Sequence, residues 1–370
     1  LLNLLAKVPD LRVASRTSAF SYKGKDIKIA DVAAELNVAH VLEGSVRKSG
    51  NKVRITAQLI DAREDAHLWS ETWDRTLDDV FAIQDEIAGS VVEQLKVTLL
   101  GSAPKIEETD PEAYNLYLKA MHLARGGTAD GMFEAVDLFK RVLEIDPKYA
   151  PAWVGLSSAY TNLTGSQIMA SDEGYELARQ ADFKALEVDP DNAIAYSGLG
   201  WIARVHDNDD RAAARYYEKA LRLDPDNDRV LNGAAVLLQD LLRLDESIDI
   251  HRVLIDRDPV NPSARHNLGV AYYAAGNMDA ARASFDAALS LSPDMVIARW
   301  WRAYVYCVEE EFQECLDTYE SLADLADNEG FRVLGHASAY PGLGREEDGA
   351  RAIETLERDY GDQYAFAVSS

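Results

Sequence analysis

The sequence predicts a mainly α-helical protein in which a small α+β domain precedes a solenoid of about seven helical hairpins. Three observations support this fold class. Five prolines recur at spacings of 43, 35, 34 and 34 residues. Apolar and polar residues alternate with period two over most of residues 40–60, which is typical of strands. The composition, with 47% hydrophobic and 27% charged residues, is that of a globular chain.

The domain organisation follows from the prolines. Pro104 and Pro111 bracket a stretch of mixed composition, and proline interrupts regular structure. We therefore predict an α+β domain at residues 1–100, a linker at 101–111 and the repeats at 112–370. The recurrent prolines delimit seven units, which are 112–147, 148–190, 191–225, 226–259, 260–293, 294–327 and 328–361.

The unit at 260–293 shows the repeat pattern most clearly, because small, aromatic and helix-ending residues alternate at fixed offsets. These residues are Leu268, Gly269, Tyr272, Ala281, Phe285, Ala288 and Pro293. The pattern resembles the tetratricopeptide repeat, a pair of antiparallel helices with a 34-residue period. In such a pair, small residues let helices A and B approach while aromatic rings fill the space between them. One unit cannot bury its apolar face alone, so the units are expected to stack into a right-handed superhelix.

The first hundred residues predict a sheet with helices, in the order α-β-α-β-β-β-α. Residues 40–48 and 52–60 flank Ser49-Gly50-Asn51, which is a hairpin signal. Residues 67–75 predict a third strand, in which Leu68 and Trp73 lie on opposite faces. Helical spacing of apolar residues predicts helices at 29–36 and 77–100, and residues 11–14 form a short β-branched run.

Four segments of this domain carry a second resemblance, namely SRTSAF, VLEGSVR, QLIDA and FAIQDEI. They are similar to the domain related to the N-terminal domain of TolB, which many bacterial proteins join to tetratricopeptide repeats. The resemblance implies a mixed sheet that lacks its first strand. It also implies a position after a class III nucleotide cyclase, a winged-helix domain or a protein kinase, often with a transmembrane helix between. The periplasmic part of a membrane-anchored bacterial protein is therefore expected, with the cytoplasm as the alternative.

The charge balance disfavours two classes of partner. The chain holds 63 acidic and 38 basic residues, for a formal net charge of −25. Residues 111–370 account for −21 of it. Such a chain is not expected to bind nucleic acid or an anionic membrane surface. No apolar run reaches the roughly 18 residues of a membrane helix, so direct membrane insertion is not expected. The absence of an initiating Met suggests a fragment.

The residues indicate no catalytic, cofactor or metal site, so we predict a non-enzyme whose associated activity, if any, lies outside this chain. Ser45 and Lys48 match a Ser-x-x-Lys pattern, but a strand places them on opposite faces. Asp224, Asp226 and Asp228 have the spacing of a calcium loop but lack its Gly and Glu. An acidic turn that caps the next helix is the favoured interpretation.

The two cysteines, Cys307 and Cys315, lie eight residues apart. Free buried thiols are the favoured interpretation. Pairing across the turn between two helices is the alternative.

A groove is the expected binding site, because helix A of each tetratricopeptide repeat lines the concave face. Mapping the repeat onto this chain selects large aromatic and polar residues, which suit the anchoring of a peptide or partner helix. They are Trp201, Arg204, Asn232, Gln239, His266, Tyr273, Trp300 and Tyr304. The alternative is that individual aromatics are buried between helices. Only Arg204 and Arg229 are basic near these positions, so a C-terminal acidic peptide is not the expected ligand.

The favoured function is a non-catalytic protein-interaction and sensory module of a larger bacterial signalling protein, with a peptide or protein partner and a possible homodimer. One alternative is the regulatory C-terminal part of a class III adenylate or guanylate cyclase. Another is part of a membrane-bound winged-helix transcription regulator. A weaker hypothesis places a small ligand in the N-terminal domain, near residues 15–18 and 43–45.

Overall fold

The computed structural model describes residues 13–14, 16–25, 27–50, 52–76, 86–87, 90–91, 109–126, 128–166, 168–326 and 328–368. The chain divides into two compact units. Unit 1 comprises Leu1–Leu237 and Arg257–Pro259, and unit 2 comprises Leu238–Asp256 and Val260–Ser370. The described part is mostly helical and contains a small sheet followed by helical hairpins, as the sequence predicts.

Up to residue 76, the described part of unit 1 contains two short helices and a three-stranded sheet. The helices are α1 (Arg16–Phe20) and α2 (Ile29–Glu35), and the strands are β1 (His40–Ser49), β2 (Lys52–Asp61) and β3 (Ala66–Thr76). Strand β2 is central, and both neighbours pair with it antiparallel. The described strands therefore pair only antiparallel, because each short connection reverses the chain direction. A mixed sheet would need a further strand outside the described residues and stays a prediction.

Two predicted elements of this domain lie mainly outside the described residues. They are the β-branched run at 11–14 and the helix at 77–100. Within the latter, the described residues 86–87 and 90–91 are helical.

The sheet has one buried face. Trp73 is 2% exposed, and Val53, Ala57 and Leu59 of β2 are buried with it, as the period-two alternation predicts. The ring centroid of Trp69 lies 5.6 Å from that of Trp73. Leu68 is 41% exposed on the opposite side.

The other face of the sheet is polar. Arg54 donates to both carboxylate oxygens of Asp74 on the neighbouring strand, at 2.7 and 2.8 Å. Ser45 and Lys48 both lie in β1, so their side chains point to opposite faces. The strand thus excludes the helical geometry that Ser-x-x-Lys chemistry requires.

Fourteen helices follow within the described residues, and they form seven successive pairs of a helix A and a helix B. The A helices are α3 (Pro111–Arg125), α5 (Ala150–Gly165), α7 (Ala193–Val205), α9 (Asp228–Asp240), α11 (Pro262–Ala274), α13 (Val296–Val308) and α15 (Glu329–Ala339). The B helices are α4 (Ala129–Ile145), α6 (Ser171–Val188), α8 (Asp210–Leu223), α10 (Leu244–Arg257), α12 (Met278–Leu291), α14 (Phe312–Ala326) and α16 (Glu346–Val368). Helix α5 contacts α3 and α7, and α11 contacts α13. Neighbouring A helices therefore form a wall, here called the A wall, within each unit.

Polar side chains set the starts of the helices. Asn192 and Asn277 each accept a hydrogen bond from a backbone N–H of the first turn that follows, at 3.0 and 3.1 Å. Asn261 accepts two such bonds, and Pro262 stands at the first helical position. Such caps satisfy donors that the helix cannot satisfy itself, and each contributes ~1 kcal/mol.

The acidic turn at 224–228 is held by an arginine. Arg257 Nη2 lies 2.7 Å from a carboxylate oxygen of Asp226, and its Nη1 lies 3.2 Å from one of Asp228. Asn227 Oδ1 caps helix α9. The calcium-like spacing therefore serves an ion-paired turn with a helix cap. The ranges given above contain no group of three potential metal-ligating side chains.

The free-thiol interpretation of the cysteines is wrong. Cys307 and Cys315 form a disulfide, and their Cα atoms are 5.1 Å apart. The last turn of α13 and the first turn of α14 face each other across a short connection, and this places the two Cα atoms within disulfide range.

No helix in the described ranges has both the length and the apolar character that a bilayer crossing requires.

The helices approach closely where a B-helix ring lies against an A-helix glycine. Phe285 of α12 is 0% exposed and covers Gly269 of α11. A Cβ added at Gly269 would lie 2.5 Å from Cε1 of that ring. Phe139 of α4 lies against Gly155 of α5, the A helix of the following pair, and a Cβ added there would also lie 2.5 Å from Cε1 of the ring. We call the B-helix residue at this position the knob.

We expect the variant Gly269→Ala to lower the free energy of unfolding by ~1–3 kcal/mol, because the added methyl group overpacks the Phe285 ring. The measurement is urea denaturation followed by tryptophan fluorescence.

The matched control is Gly165→Ala at the end of α5, where an added Cβ has no neighbour within 4 Å. This control should be neutral or slightly stabilising. Equal losses in both variants would contradict the packing role of the glycine.

Candidate functional site

The structure places all eight predicted groove residues on A helices, and each is half-buried. Three belong to unit 1 and five to unit 2. They are Trp201 and Arg204 on α7, Asn232 and Gln239 on α9, His266 and Tyr273 on α11, and Trp300 and Tyr304 on α13. Each unit therefore presents its own part of the predicted site.

Unit 2 contains a continuous cluster of four rings, here called the aromatic wall. Trp300 and Tyr304 stack with centroids 5.7 Å apart and planes inclined by 10°. Tyr273 lies 5.6 Å from Tyr304 and 5.3 Å from Trp301. Sequence reasoning missed Trp301, although it directly follows Trp300. Adjacent helices thus bring three of the predicted residues together.

The hydroxyl group of Tyr273 in the aromatic wall stays protonated at neutral pH. Burial is the main cause that raises the pKa of Tyr273 to about 12, and a hydrogen bond with Tyr304 adds to it. The wall therefore offers apolar rings with neutral polar edges, which suits contact with a peptide.

The indole rings of the site also contribute to the core. Trp300 packs against the buried cluster that contains Tyr319 and Leu322. Trp201 packs against the buried cluster that contains Leu163 and Ile202. The interpretation that individual aromatics are buried between helices therefore holds for part of each ring, while their role in binding stays a prediction.

In unit 1, a charged group lies against an aromatic ring. The guanidinium carbon of Arg204 is 5.1 Å from the ring centroid of Trp201, within the range of cation–π attraction. The two residues lie nearly one turn apart on α7, so the helix itself sets this contact.

Two B helices carry a buried polar residue in place of the aromatic knob. Four helices carry a buried Phe or Tyr at this position, namely Phe139, Tyr217, Phe285 and Tyr319. Asp182 stands 35 residues before Tyr217, and His251 stands 34 residues before Phe285. Sequence reasoning missed both polar knobs, although the 34-residue period locates His251 and the distance from Tyr217 comes within one residue of locating Asp182.

His251 is a fully buried neutral imidazole in unit 2. It is 0% exposed, and its Nε2 lies 3.2 Å from the side-chain nitrogen of Gln239. An amide NH₂ can only donate, so Nε2 is the acceptor. Burial, and then the proximity of His266, lower the pKa of His251 to about 4. Two predicted groove residues therefore interact with the interior.

Asp182 is a buried carboxyl group in unit 1. It is 1% exposed and hydrogen-bonded to Ser157. Its Oδ2 has no hydrogen-bond donor among the described residues and lies directly behind Gly198 of α7. Burial raises its pKa to about 8, although Ser157 and Arg229 act in the opposite direction.

The hypothesis of a small ligand near residues 15–18 is not favoured at Ser18, because this side chain is buried and already has a partner. Ser18 is 1% exposed, and its hydroxyl donates to the carboxylate of Asp258, which is 3% exposed. Both residues belong to unit 1. Residue 15 lies outside the described ranges.

The family model of the tetratricopeptide repeat matches residues 173–228, 232–296 and 266–329. The helical hairpins of these segments are typical of such repeats. They include α7, α9, α11 and α13, which carry the eight predicted groove residues.

One relative carries the name "Putative adenylate cyclase 3" and comes from Rhizobium meliloti (strain 1021). It is 44% identical over 157 residues. The aligned region covers 41% of this chain and 27% of the relative, so the chain spans about a quarter of the relative's length.

Two solved structures are similar at low sequence identity. The human IFIT1 dimer has a TM-score of 0.53 and 13% identity, over 77% of this chain and 70% of that one. Pseudomonas aeruginosa PilF has a TM-score of 0.46 and 21% identity, over 60% and 96%. At these identities, the likeness concerns the fold alone.

We expect the buried His251 to make stability depend on pH. Its pKa falls from 6.5 in the unfolded chain to about 4 in the folded one, so the unfolded state binds more protons between these values. The stability that His251 contributes at pH 7 is therefore lost as the pH falls to 4, by roughly 3 kcal/mol. The variant His251→Phe should show a correspondingly shallower pH dependence in chemical denaturation. Parallel curves for the two proteins would contradict this role.

Proposed function

We propose that this chain is a non-catalytic protein-interaction and sensory segment of a larger bacterial signalling protein, and that it binds an extended peptide or partner segment along its A helices. The observation that carries the proposal is the aromatic wall of unit 2, built from Tyr273, Trp300, Trp301 and Tyr304. The tetratricopeptide repeats support it, since this fold serves protein–protein interaction.

The aromatic wall has the properties of a binding hot spot. Its rings are held by mutual contacts and by the core beneath Trp300, so little side-chain entropy is lost on binding. Large rigid rings with a partly exposed surface supply much of the free energy in protein interfaces. A peptide side chain placed against them would exclude water from both surfaces.

The N-terminal domain is proposed to dock or relay within the larger protein, in line with its resemblance to the domain related to the N-terminal domain of TolB. The antiparallel hairpin of β1 and β2, with the VLEGSVR segment in β1, supports this assignment. The proposed location is the periplasmic part of a membrane-anchored protein. The Cys307–Cys315 disulfide supports an oxidising compartment.

A second proposal is that the chain is the regulatory C-terminal part of a class III cyclase. It is supported by the 44% identity to a protein named as an adenylate cyclase. The test is cyclic nucleotide formation by the complete natural gene product. Absence of a cyclase domain upstream of Leu1 would contradict this proposal and leave the first one intact.

We expect Trp300→Ala to weaken peptide binding by tenfold or more, because the stacked pair with Tyr304 loses its larger ring. The ligands are peptides selected from a random phage-displayed library on the purified chain, and the measurement is fluorescence anisotropy. A moderate fall in thermal stability is also expected, since Trp300 contacts the core.

The matched control is Phe183→Ala on the B helix α6, where the ring is 44% exposed. Peptide affinity should be unchanged in this control. Equal affinity of the Trp300→Ala variant and the unaltered chain, with both folded at the assay temperature, would contradict binding at the aromatic wall.

A further inference from the structure

The A wall of unit 1 lacks acidic side chains on two successive helices, although the chain carries a net charge of −25. Helix α5 contains no charged residue, and Arg204 is the only charged residue of α7. The B helices α4 and α6 carry four and five acidic residues. Negative charge in this part of unit 1 is therefore concentrated on the B helices.

One further cation lies across this uncharged surface. Arg229, in the first turn of α9, extends over α7 and donates from Nη2 to the hydroxyl of Ser158 on α5, at 2.9 Å. The Ser158 hydroxyl in turn donates to the carbonyl of Val154, at 2.8 Å. Two helices thus hold the guanidinium group in one place.

Most donors of this guanidinium group remain available. A guanidinium group has five N–H donors, and the bond to Ser158 is the only side-chain hydrogen bond of Arg229 within the described ranges. The residue as a whole is exposed, although the side chains around its guanidinium group partly desolvate it. The neighbouring Asp228 is paired with Arg257, so it is already engaged elsewhere.

Asp182, a buried carboxyl group beside Gly198 of α7, attracts Arg229 electrostatically. Among the described residues the two side chains form no salt bridge. The Asp182 pKa of about 8 keeps this carboxyl group largely protonated at neutral pH. Arginine stays protonated in proteins even where burial lowers its pKa, as it does for Arg229.

We propose that the surface formed by α5, α7 and the first turn of α9 binds side-chain carboxylates of an acidic internal peptide segment, with Arg229 as the anchoring cation. Arg204, stacked on Trp201, supplies a second positive charge along the same surface. The proposal rests on the peptide-binding function above and names its ligand chemistry. It concerns side-chain carboxylates, so the expectation against a C-terminal acidic peptide is unchanged.

Carboxylates fit this surface better than a nucleic acid does. A planar guanidinium group with free N–H donors matches a carboxylate in two parallel hydrogen bonds. A polyanion such as RNA needs several basic contacts, and it would be repelled by the acidic residues of the B helices. A short peptide in which acidic and apolar residues alternate can contact the A helices without approaching the acidic B helices, so it would avoid that repulsion.

The test compares three fluorescein-labelled peptides that share an aromatic core and carry Glu, Gln or Lys at the flanking positions. In fluorescence anisotropy with the full chain, the Glu peptide should bind most tightly, the Gln peptide less tightly and the Lys peptide least tightly. Arg229→Gln should weaken the Glu peptide about tenfold and leave the Gln peptide unchanged. Arg229→Lys should bind the Glu peptide more tightly than Arg229→Gln does but less tightly than the unaltered chain, since lysine keeps the positive charge and lacks the planar guanidinium group.

The matched control is Arg222→Gln on α8, which changes the net charge equally. The Arg222 side chain is 61% exposed and paired with Glu218. This variant should bind the Glu peptide as the unaltered chain does. Equal weakening in both variants would show that overall charge is responsible, and it would overturn the proposal. Tighter binding of a labelled single-stranded RNA than of the Glu peptide would also overturn it.

The two proposals fail in different ways. If library-selected peptides bind with no preference between Glu and Gln, the carboxylate proposal is wrong and peptide binding stands. If no peptide binds and Trp300→Ala has no effect, peptide binding itself is wrong. Circular dichroism of each variant confirms that a loss of affinity does not come from unfolding.

Discussion

The contact between a B-helix knob and the glycine opposite it sets the distance between neighbouring helices. Phe285 against Gly269 and Phe139 against Gly155 show the geometry, because neither glycine could accept a Cβ without moving a buried ring. Close packing fixes the rotation of each A helix about its axis. The rotation in turn decides which side chains reach the A wall, so Tyr273 and Tyr304 meet because the helices below them are held at this distance.

Two repeats replace the aromatic knob by a polar one, and each needs a specific partner. Asp182 is bonded to Ser157 and kept largely neutral by burial. His251 accepts from Gln239 and is also kept neutral. Burying a charge in either place would cost several kcal/mol. Burial therefore raises the pKa of Asp182 and lowers the pKa of His251. These positions connect the interior of the repeats to residues of the A wall.

Acidic residues are distributed unevenly between the A and B helices of unit 1. Helices α5 and α7 contribute a surface with no acidic side chain, while α4 and α6 carry the acidic residues. A chain with a strong negative charge can thereby stay soluble and still offer a surface that does not repel anions. The aromatic wall in unit 2 and the arginines in unit 1 are two chemically distinct parts of the same kind of helix surface.

The 34-residue spacing of prolines and the Leu, Gly, Tyr, Ala, Phe pattern determined the repeats, because a packed hairpin requires small and large residues at fixed offsets. Alternation determined the β1–β2 hairpin, and the repeat pattern placed the eight candidate residues on A helices. Only the tertiary structure decided that Cys307 and Cys315 pair, that the described sheet is antiparallel, and that Gln239 and His266 interact with the interior. It also decided that Arg229 reaches Ser158, 71 residues away in sequence. Contacts of that kind depend on how one helix is placed over another, and local periodicity carries no information about that placement.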